Sequence, residues 1–175
     1  MITFDDFANT AGGTLNIGWE SAEAALGYTL HDGLKSFYSR VICSQQQNIE
    51  GRYFIEESQF APPPSAEYST WTELLAGEHY FYLYPLQTMD NYESAILSAF
   101  TKWTGGFDMG NRALIGSIDA SVGEILLLFN NDTGEIEWND PEYGQFEVYE
   151  ENPYGIFAED MEHFIAKLSR HKPNA

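Results

Sequence analysis

Residues 125–139 read ILLLFNNDTGEIEWN, and this stretch decides the fold. The apolar run 125–129 has strand length. Asn130-Asn131-Asp132-Thr133-Gly134 follows, built from residues that tolerate positive φ and close hairpins. A second strand, 135–139, then begins. Side chains alternate faces along it, so Glu135 and Glu137 share one face while Ile136 and Trp138 share the other. So short a connection demands antiparallel neighbours, because a parallel crossover takes a dozen or more residues.

Working outward, 113–118, 124–129, 135–139 and 145–149 are four strand candidates, separated by the turn-rich pieces 119–123, 130–134 and 140–144. Two more precede them: 51–57, with Tyr53, Phe54 and Ile55, and the aromatic-dense 79–86, closed by Pro85. Ala61-Pro62-Pro63-Pro64-Ser65 cannot enter a sheet interior. Thr70-Trp71-Thr72-Glu73 has capping-box spacing ahead of Leu74 and Leu75, so a short helix is expected there, ended by Gly77.

Elsewhere the period is helical. Trp19, Ala22 and Leu26 share a face, and Gly27 is placed to end that helix in a left-handed conformation. Leu30, Leu34, Phe37, Tyr38, Val41 and Ile42 form the stripe of a second helix, with Asp32 as its expected N-cap. Tyr92, Ala95, Ile96, Ala99, Phe100 and Trp103 form a third, capped by Asp90 or Asn91 and stopped by Gly105-Gly106. Phe157, Met161, Phe164, Ile165 and Leu168 form a last one, with Glu159 and Asp160 in the first turn and Lys167 and Arg170 near the last. This order predicts an α+β fold: a mixed, mainly antiparallel sheet of about six strands, with helices on one face and at its ends. No repeat or second core is visible. A single domain over 1–175 is expected, with a loosely packed arm at 1–18 and a core at 19–168.

The chain of 175 residues carries 27 Asp+Glu against 8 Lys+Arg, a formal net charge of −19. Nucleic acid and anionic membranes are excluded as partners of a basic surface, since neutralising phosphate takes clustered Lys and Arg. With 43% hydrophobic and 15% aromatic residues the chain is not a solvated acidic tail. The single cysteine, Cys43, makes no internal disulfide and reads as a small buried hydrophobe. The first residues lack a basic start and a long apolar run, and no segment approaches the ~20 apolar residues of a membrane span. A cytoplasmic location is the expectation.

Catalytic motifs with specific spacing are absent: no GxGxxG, Walker lysine motif, HExxH, GxSxG or CxxC occurs. The Gly-rich piece 105–110 precedes a strand and reads as a helix stop. Glu159, Asp160, Glu162 and His163 resemble a carboxylate–imidazole cluster, but Glu159 and His163 supply only two ligands on one helix face, where a transition-metal site wants three or four. Asp132 to Glu135 lacks most ligands of a calcium loop. With so many acids, a carboxylate pair of glycosidase type carries little information. Neither enzymatic activity nor any cofactor or metal is expected.

The distribution of charge stands out instead. Between Arg112 and Lys167 there is no Lys or Arg, yet the stretch holds 13 of the acids. Aromatics are interleaved with them. A one-signed face repels itself, which invites a functional account: a binding surface for a basic partner, with solubility as the plain alternative. The candidate partner-binding residues are Asp132, Glu135, Glu137, Asp140, Glu142, Tyr143, Glu147, Tyr149, Glu150, Glu151 and Tyr154. Trp138 is a further candidate anchor, although its alternation with Ile136 places it in the core.

Three motifs together resemble the SUKH superfamily. Residues 19–30 (WESAEAALGYTL), followed by Leu34, Phe37 and Tyr38, are similar to its N-terminal signature, in which a first helix ends in Leu-Gly and a leucine leads into the second. Residues 125–139 look like its central hairpin, and 155–165 (GIFAEDMEHFI) resemble its closing element, an apolar pair and alanine leading into a helix. The likeness spans about 19–168. Histidine at 31 stands where the family often has proline, the Asn-Gly-Gly turn after the second helix is replaced by 43–47 (CSQQQ), and the insertion at about 58–78 is longer than in the family.

The resemblance implies a SUKH-like fold and a non-enzymatic immunity protein that binds a polymorphic or contact-dependent bacterial toxin, often a nuclease or deaminase. Other members act as regulators or scaffolds, so a regulatory protein-binding module without a toxin partner is the alternative. An acid-dependent hydrolase is a third possibility that no specific motif supports.

Overall fold

The computed structural model describes residues 17–40, 54–56, 78–83, 92–106, 108–120, 123–139 and 154–167. Helix α1 (Trp19–Leu26) and helix α2 (Asp32–Arg40) come first, then strands β1 (Phe54–Glu56) and β2 (Glu78–Leu83). Helix α3 (Tyr92–Thr101) runs into a 3₁₀ turn, Lys102–Thr104. Strands β3 (Arg112–Ala120), β4 (Gly123–Asn130), β5 (Ile136–Asn139) and β6 (Tyr154–Ala158) follow, and helix α4 (Met161–Ala166) closes the order. The α+β class expected from the periodicities is the class observed.

Strands β3 to β6 form an antiparallel meander. Phe129 on β4 sits between Ala113 on β3 and Ile136 on β5, and Trp138 sits between Leu127 and Gly155. Register shifts fall between Leu114 and Gly116 and between Ile136 and Glu137. The β2 backbone pairs antiparallel with β3, Tyr80 opposite Asp119, and β1 pairs with β2, Phe54 opposite Tyr80.

The core lies between one sheet face and the helices. Leu34 and Phe37 of α2, Ile96 of α3, and Phe164 and Ile165 of α4 are fully buried against Ile115, Leu127, Phe129, Ile136 and Trp138. Each such Leu, Ile or Phe contributes roughly 1.5–3 kcal/mol relative to an exposed side chain. The opposite face carries a smaller cluster, Trp103, Met109 and Leu128, with Leu114 and Leu126 at its margin.

Several local expectations hold. Gly27 ends α1 at φ 83°, and its N–H donates to the Glu23 carbonyl. Gly105 and Gly106 follow the third helix at φ 63° and 91°. Asn130 to Gly134 connects β4 to β5, with Gly134 at φ 82°.

Other expectations are corrected. Asp32 is the first helical residue of α2 rather than its cap; His31 caps the helix, accepting the Gly33 N–H on Nδ1 at 3.0 Å. Trp103 leaves the α3 stripe, because the chain tightens into the 3₁₀ turn and delivers the indole to the other sheet face. There its Nε1–H donates to the Arg112 carbonyl at 3.2 Å. Phe157 belongs to β6 and not to the last helix. Its spacing to Met161 fits a helix, but Asp160 stands between them in extended conformation and accepts the His163 N–H, which fixes the helix start at Met161.

Residues 1–16 of the expected arm (1–18), the caps Asp90 and Asn91, Cys43, the expected helix after Thr70, residues 58–77 of the insertion (about 58–78) and the strand candidate 145–149 lie outside the described residues; Ile17, near the end of the arm, is buried in the main core. Among the described residues, no helix is long and apolar enough to cross a membrane.

Candidate functional site

The turn between β4 and β5 is built by its two asparagines. Asn130 Oδ1 accepts the N–H groups of Asp132 and Thr133 at 3.0 and 3.3 Å, folding the turn onto its own side chain. The Asn130 N–H donates to the Glu135 carbonyl at 2.9 Å, and the Gly134 N–H donates to the Asn130 carbonyl at 2.8 Å. Asn131 points the other way. Its Oδ1 accepts the His31 N–H at 2.8 Å, and its Nδ2 donates to the Thr29 carbonyl at 3.0 Å. The turn is thereby pinned to the loop between α1 and α2.

Two candidate acids ride on this turn. Asp132 is exposed and accepts from Asn111 Nδ2 at 3.3 Å. Glu135 is half-buried and accepts the Thr133 hydroxyl at 2.9 Å. Tyr28 lies near enough to Asp132 to feel its charge: burial, and then that carboxylate, push the phenol above its ordinary range.

Glu137 is placed differently. Sequence alternation sets it on the face away from Ile136 and Trp138, and the structure agrees, but that face is not open to water. Glu137 is only 3% exposed. Arg112 Nε donates to Glu137 Oε2 at 2.6 Å, and Asn130 Nδ2 donates to Oε1 at 2.9 Å. The guanidinium also donates to the Met109 carbonyl at 3.0 Å. Glu137 is therefore neutralised inside the fold and is withdrawn from the open acidic surface. Trp138, fully buried in the main core, is withdrawn as an anchor.

Tyr154 begins β6, its backbone opposite Asn139. Asp140, Glu142, Tyr143, Glu147, Tyr149, Glu150 and Glu151 lie outside the described residues.

The histidine cluster of α4 resolves into an ion-paired cap. His163 Nδ1 lies 2.7 Å from Asp160 Oδ1, and Nε2 lies 2.9 Å from Glu159 Oε1. Both ring nitrogens thus face carboxylates, which favours the doubly protonated ring. The Asp160 hydrogen bond holds the His163 pKa above its ordinary value. Burial pushes the Asp160 carboxyl up, but the His163 backbone and ring hydrogen bonds prevail and hold it down. Among the described residues, no group of three or more His, Cys, Asp or Glu side chains is arranged to hold a metal.

The two bases that bracket the acidic stretch both turn inward. Arg112 pairs with Glu137. Lys167 donates to the Phe157 carbonyl, and its ammonium sits 4.9 Å from the centre of the Phe157 ring. Burial lowers the Lys167 pKa.

Sequence reasoning missed His31, Asn131 and Arg112 as organising residues. Arg112 was visible only as the end of a base-free stretch, and the alternation of β5 carried the signal that Glu137 needed a partner if its face were covered. Asn131 was one of several turn formers with nothing to single it out. In comparisons with known proteins, no family model, no curated protein and no solved structure matches the chain.

Proposed function

We propose that this chain is a SUKH-type immunity protein that binds and neutralises a basic bacterial toxin, a nuclease or deaminase, without catalysis of its own. The observation that carries the reading is the base-free acidic stretch between Arg112 and Lys167. Its bracketing bases are engaged internally, Arg112 by the Glu137 carboxylate and Lys167 by the Phe157 carbonyl and ring. The remaining acids, from Asp132 and Glu135 through Asp140, Glu142, Glu147, Glu150 and Glu151, form the binding surface on this reading, with Tyr143, Tyr149 and Tyr154 as aromatic anchors. A nuclease needs a basic substrate groove, and opposite charge raises association rates by roughly 10- to 1,000-fold.

The order of elements supports the family reading: two leading helices broken at Leu26-Gly27, an antiparallel sheet with the 125–139 hairpin at its centre, and a closing helix. On this reading β1 and β2 complete a six-stranded SUKH-like sheet in a cytoplasmic protein.

The test is co-expression with the product of the adjacent upstream gene. Co-purification of a complex that silences that product's nuclease or deaminase activity is the expected result. A stable complex with a partner that has no toxic activity would favour a regulatory or scaffold module instead.

A further inference from the structure

The β4–β5 turn carries Asp132 and Glu135, and one buried residue ties it to two other parts of the chain. Asn131 is 7% exposed. Its Oδ1 accepts the His31 N–H at 2.8 Å, and its Nδ2 donates to the Thr29 carbonyl at 3.0 Å. Its own N–H donates to the Asn111 carbonyl at 2.8 Å. Asn131 thus joins the loop between α1 and α2, the approach to β3, and the turn. Asn111 in turn reaches a candidate acid, since its Nδ2 donates to Asp132 Oδ1 at 3.3 Å. On the return side of the turn the His31 ring fills the space over Gly134, where an added Cβ would come within 2.7 Å of Cε1. Glu135 follows directly and accepts the Thr133 hydroxyl at 2.9 Å. The Asn130 side chain closes the turn on itself by accepting from Asp132 and Thr133. The Asn131 side chain bonds only to backbone groups outside the turn, so it sets where the turn lies.

We propose that Asn131 is a positioning residue of the partner-binding surface, which holds the turn so that the Asp132 and Glu135 carboxylates are presented in one arrangement before a partner arrives. This role rests on the toxin-binding reading and adds which acids of the surface act by position as well as by charge. Charge acts at long range, and steering follows the summed field of all the acids. Contact is different. A carboxylate that is already held loses little freedom on binding, whereas one on a loosened turn has to be ordered in the complex. Asn131 carries no charge, so its removal leaves steering intact and acts on the lifetime of the complex. The partner groups that answer these carboxylates are Lys and Arg side chains.

The test is binding kinetics of the full chain with the product of the adjacent upstream gene. Asn131→Ala should leave the association rate within about twofold of the parent. It should speed dissociation about tenfold, since re-ordering one loosened side chain on binding costs up to about a factor of ten. Loss of folded protein would instead lower the active fraction and leave dissociation unchanged. In a chain that already carries Asp132→Asn and Glu135→Gln, Asn131→Ala should speed dissociation by less than about twofold, because the groups it positions are gone. Asn131→Asp is the second variant: it keeps the acceptor for the His31 N–H, loses the donor to Thr29 and adds an acid. Positioning predicts faster dissociation of that variant, and charge alone predicts slower. Unchanged dissociation in Asn131→Ala, an undiminished effect in the Asp132→Asn, Glu135→Gln background, or slower dissociation in Asn131→Asp would each overturn the role of Asn131 and leave the toxin-binding reading in place. No complex with the parent chain would overturn both.

Discussion

The two faces of the β3–β6 meander are covered in different ways. On the helix side, Phe129, Ile136 and Trp138 are buried in a continuous apolar core. On the other side, Leu128, Met109 and Trp103 surround an ion pair, with Arg112 and Asn130 both bonded to Glu137. Strand β5 shows the contrast most sharply, since all four of its residues are buried. Its alternation of apolar and charged residues is the pattern of a half-exposed strand, yet it separates two buried environments. An acid in such a pattern can belong either to a surface or to a covered polar network, and here Glu135 and Glu137, two residues apart, have different fates.

Mutations can break this comparison, and the largest effect should fall on the apolar side. Trp138→Ala should destabilise the fold by about 4 kcal/mol, since the indole fills the core and leaves a cavity. Denaturant unfolding measures this. A loss below about 1 kcal/mol would mean that the site collapses around the truncation.

Glu137→Ala tests the opposite face. Removing one partner of a buried pair strands the other charge, so a loss of about 3 kcal/mol is expected by the same measurement. Replacing Arg112 and Glu137 together by apolar residues of similar volume should cost less than either truncation alone. If Glu137→Ala proved neutral, the second face would be as open to water as the sequence pattern suggests.

The turn that links the faces should respond at an intermediate level. Gly134→Ala meets both a left-handed backbone and the His31 ring, and should cost about 2 kcal/mol. By contrast, Glu135→Lys, on the same strand approach as Glu137, should change stability by less than about 0.5 kcal/mol.

The smallest effect concerns the exposed cap of α4. Because the folded pKa of His163 is raised, its pairing with Asp160 and Glu159 contributes fully below the unfolded value. That contribution fades as pH rises through the higher folded value. Thermal unfolding of His163→Gln should therefore differ from the parent at pH 5.5 and converge with it by pH 8.5. A difference that grows with pH would contradict the assignment.

The sequence made the fold class legible because periodicity is local. The 125–139 hairpin, the Gly27 stop and the stripes of α1 to α3 each rest on spacing within one segment. Phe157 was misplaced because its separation from Met161 suits a helix, while Asp160 decides the start through a side-chain bond that spacing does not reveal. Trp103 was misplaced because a 3₁₀ turn redirects a residue that an ideal helix would keep on the stripe. The fate of Glu137 depended on Arg112, 25 residues earlier, meeting it across β4, which no local pattern encodes. Of the candidate surface, the exposure of Asp132 followed from turn chemistry. The tie of that turn to His31 and Thr29 is a contact between residues about a hundred positions apart.

The most direct test of the acidic surface is calorimetric titration with the product of the adjacent upstream gene at several salt concentrations. The parent chain should be compared with a variant carrying Glu147→Lys, Glu150→Lys and Glu151→Lys. The expected result is a complex in the parent that weakens as salt rises. In the variant, affinity should fall by at least about tenfold and the salt dependence should flatten. Unchanged affinity and salt dependence in the variant would contradict the placement of the surface, and no complex with the parent would contradict the toxin-binding function itself.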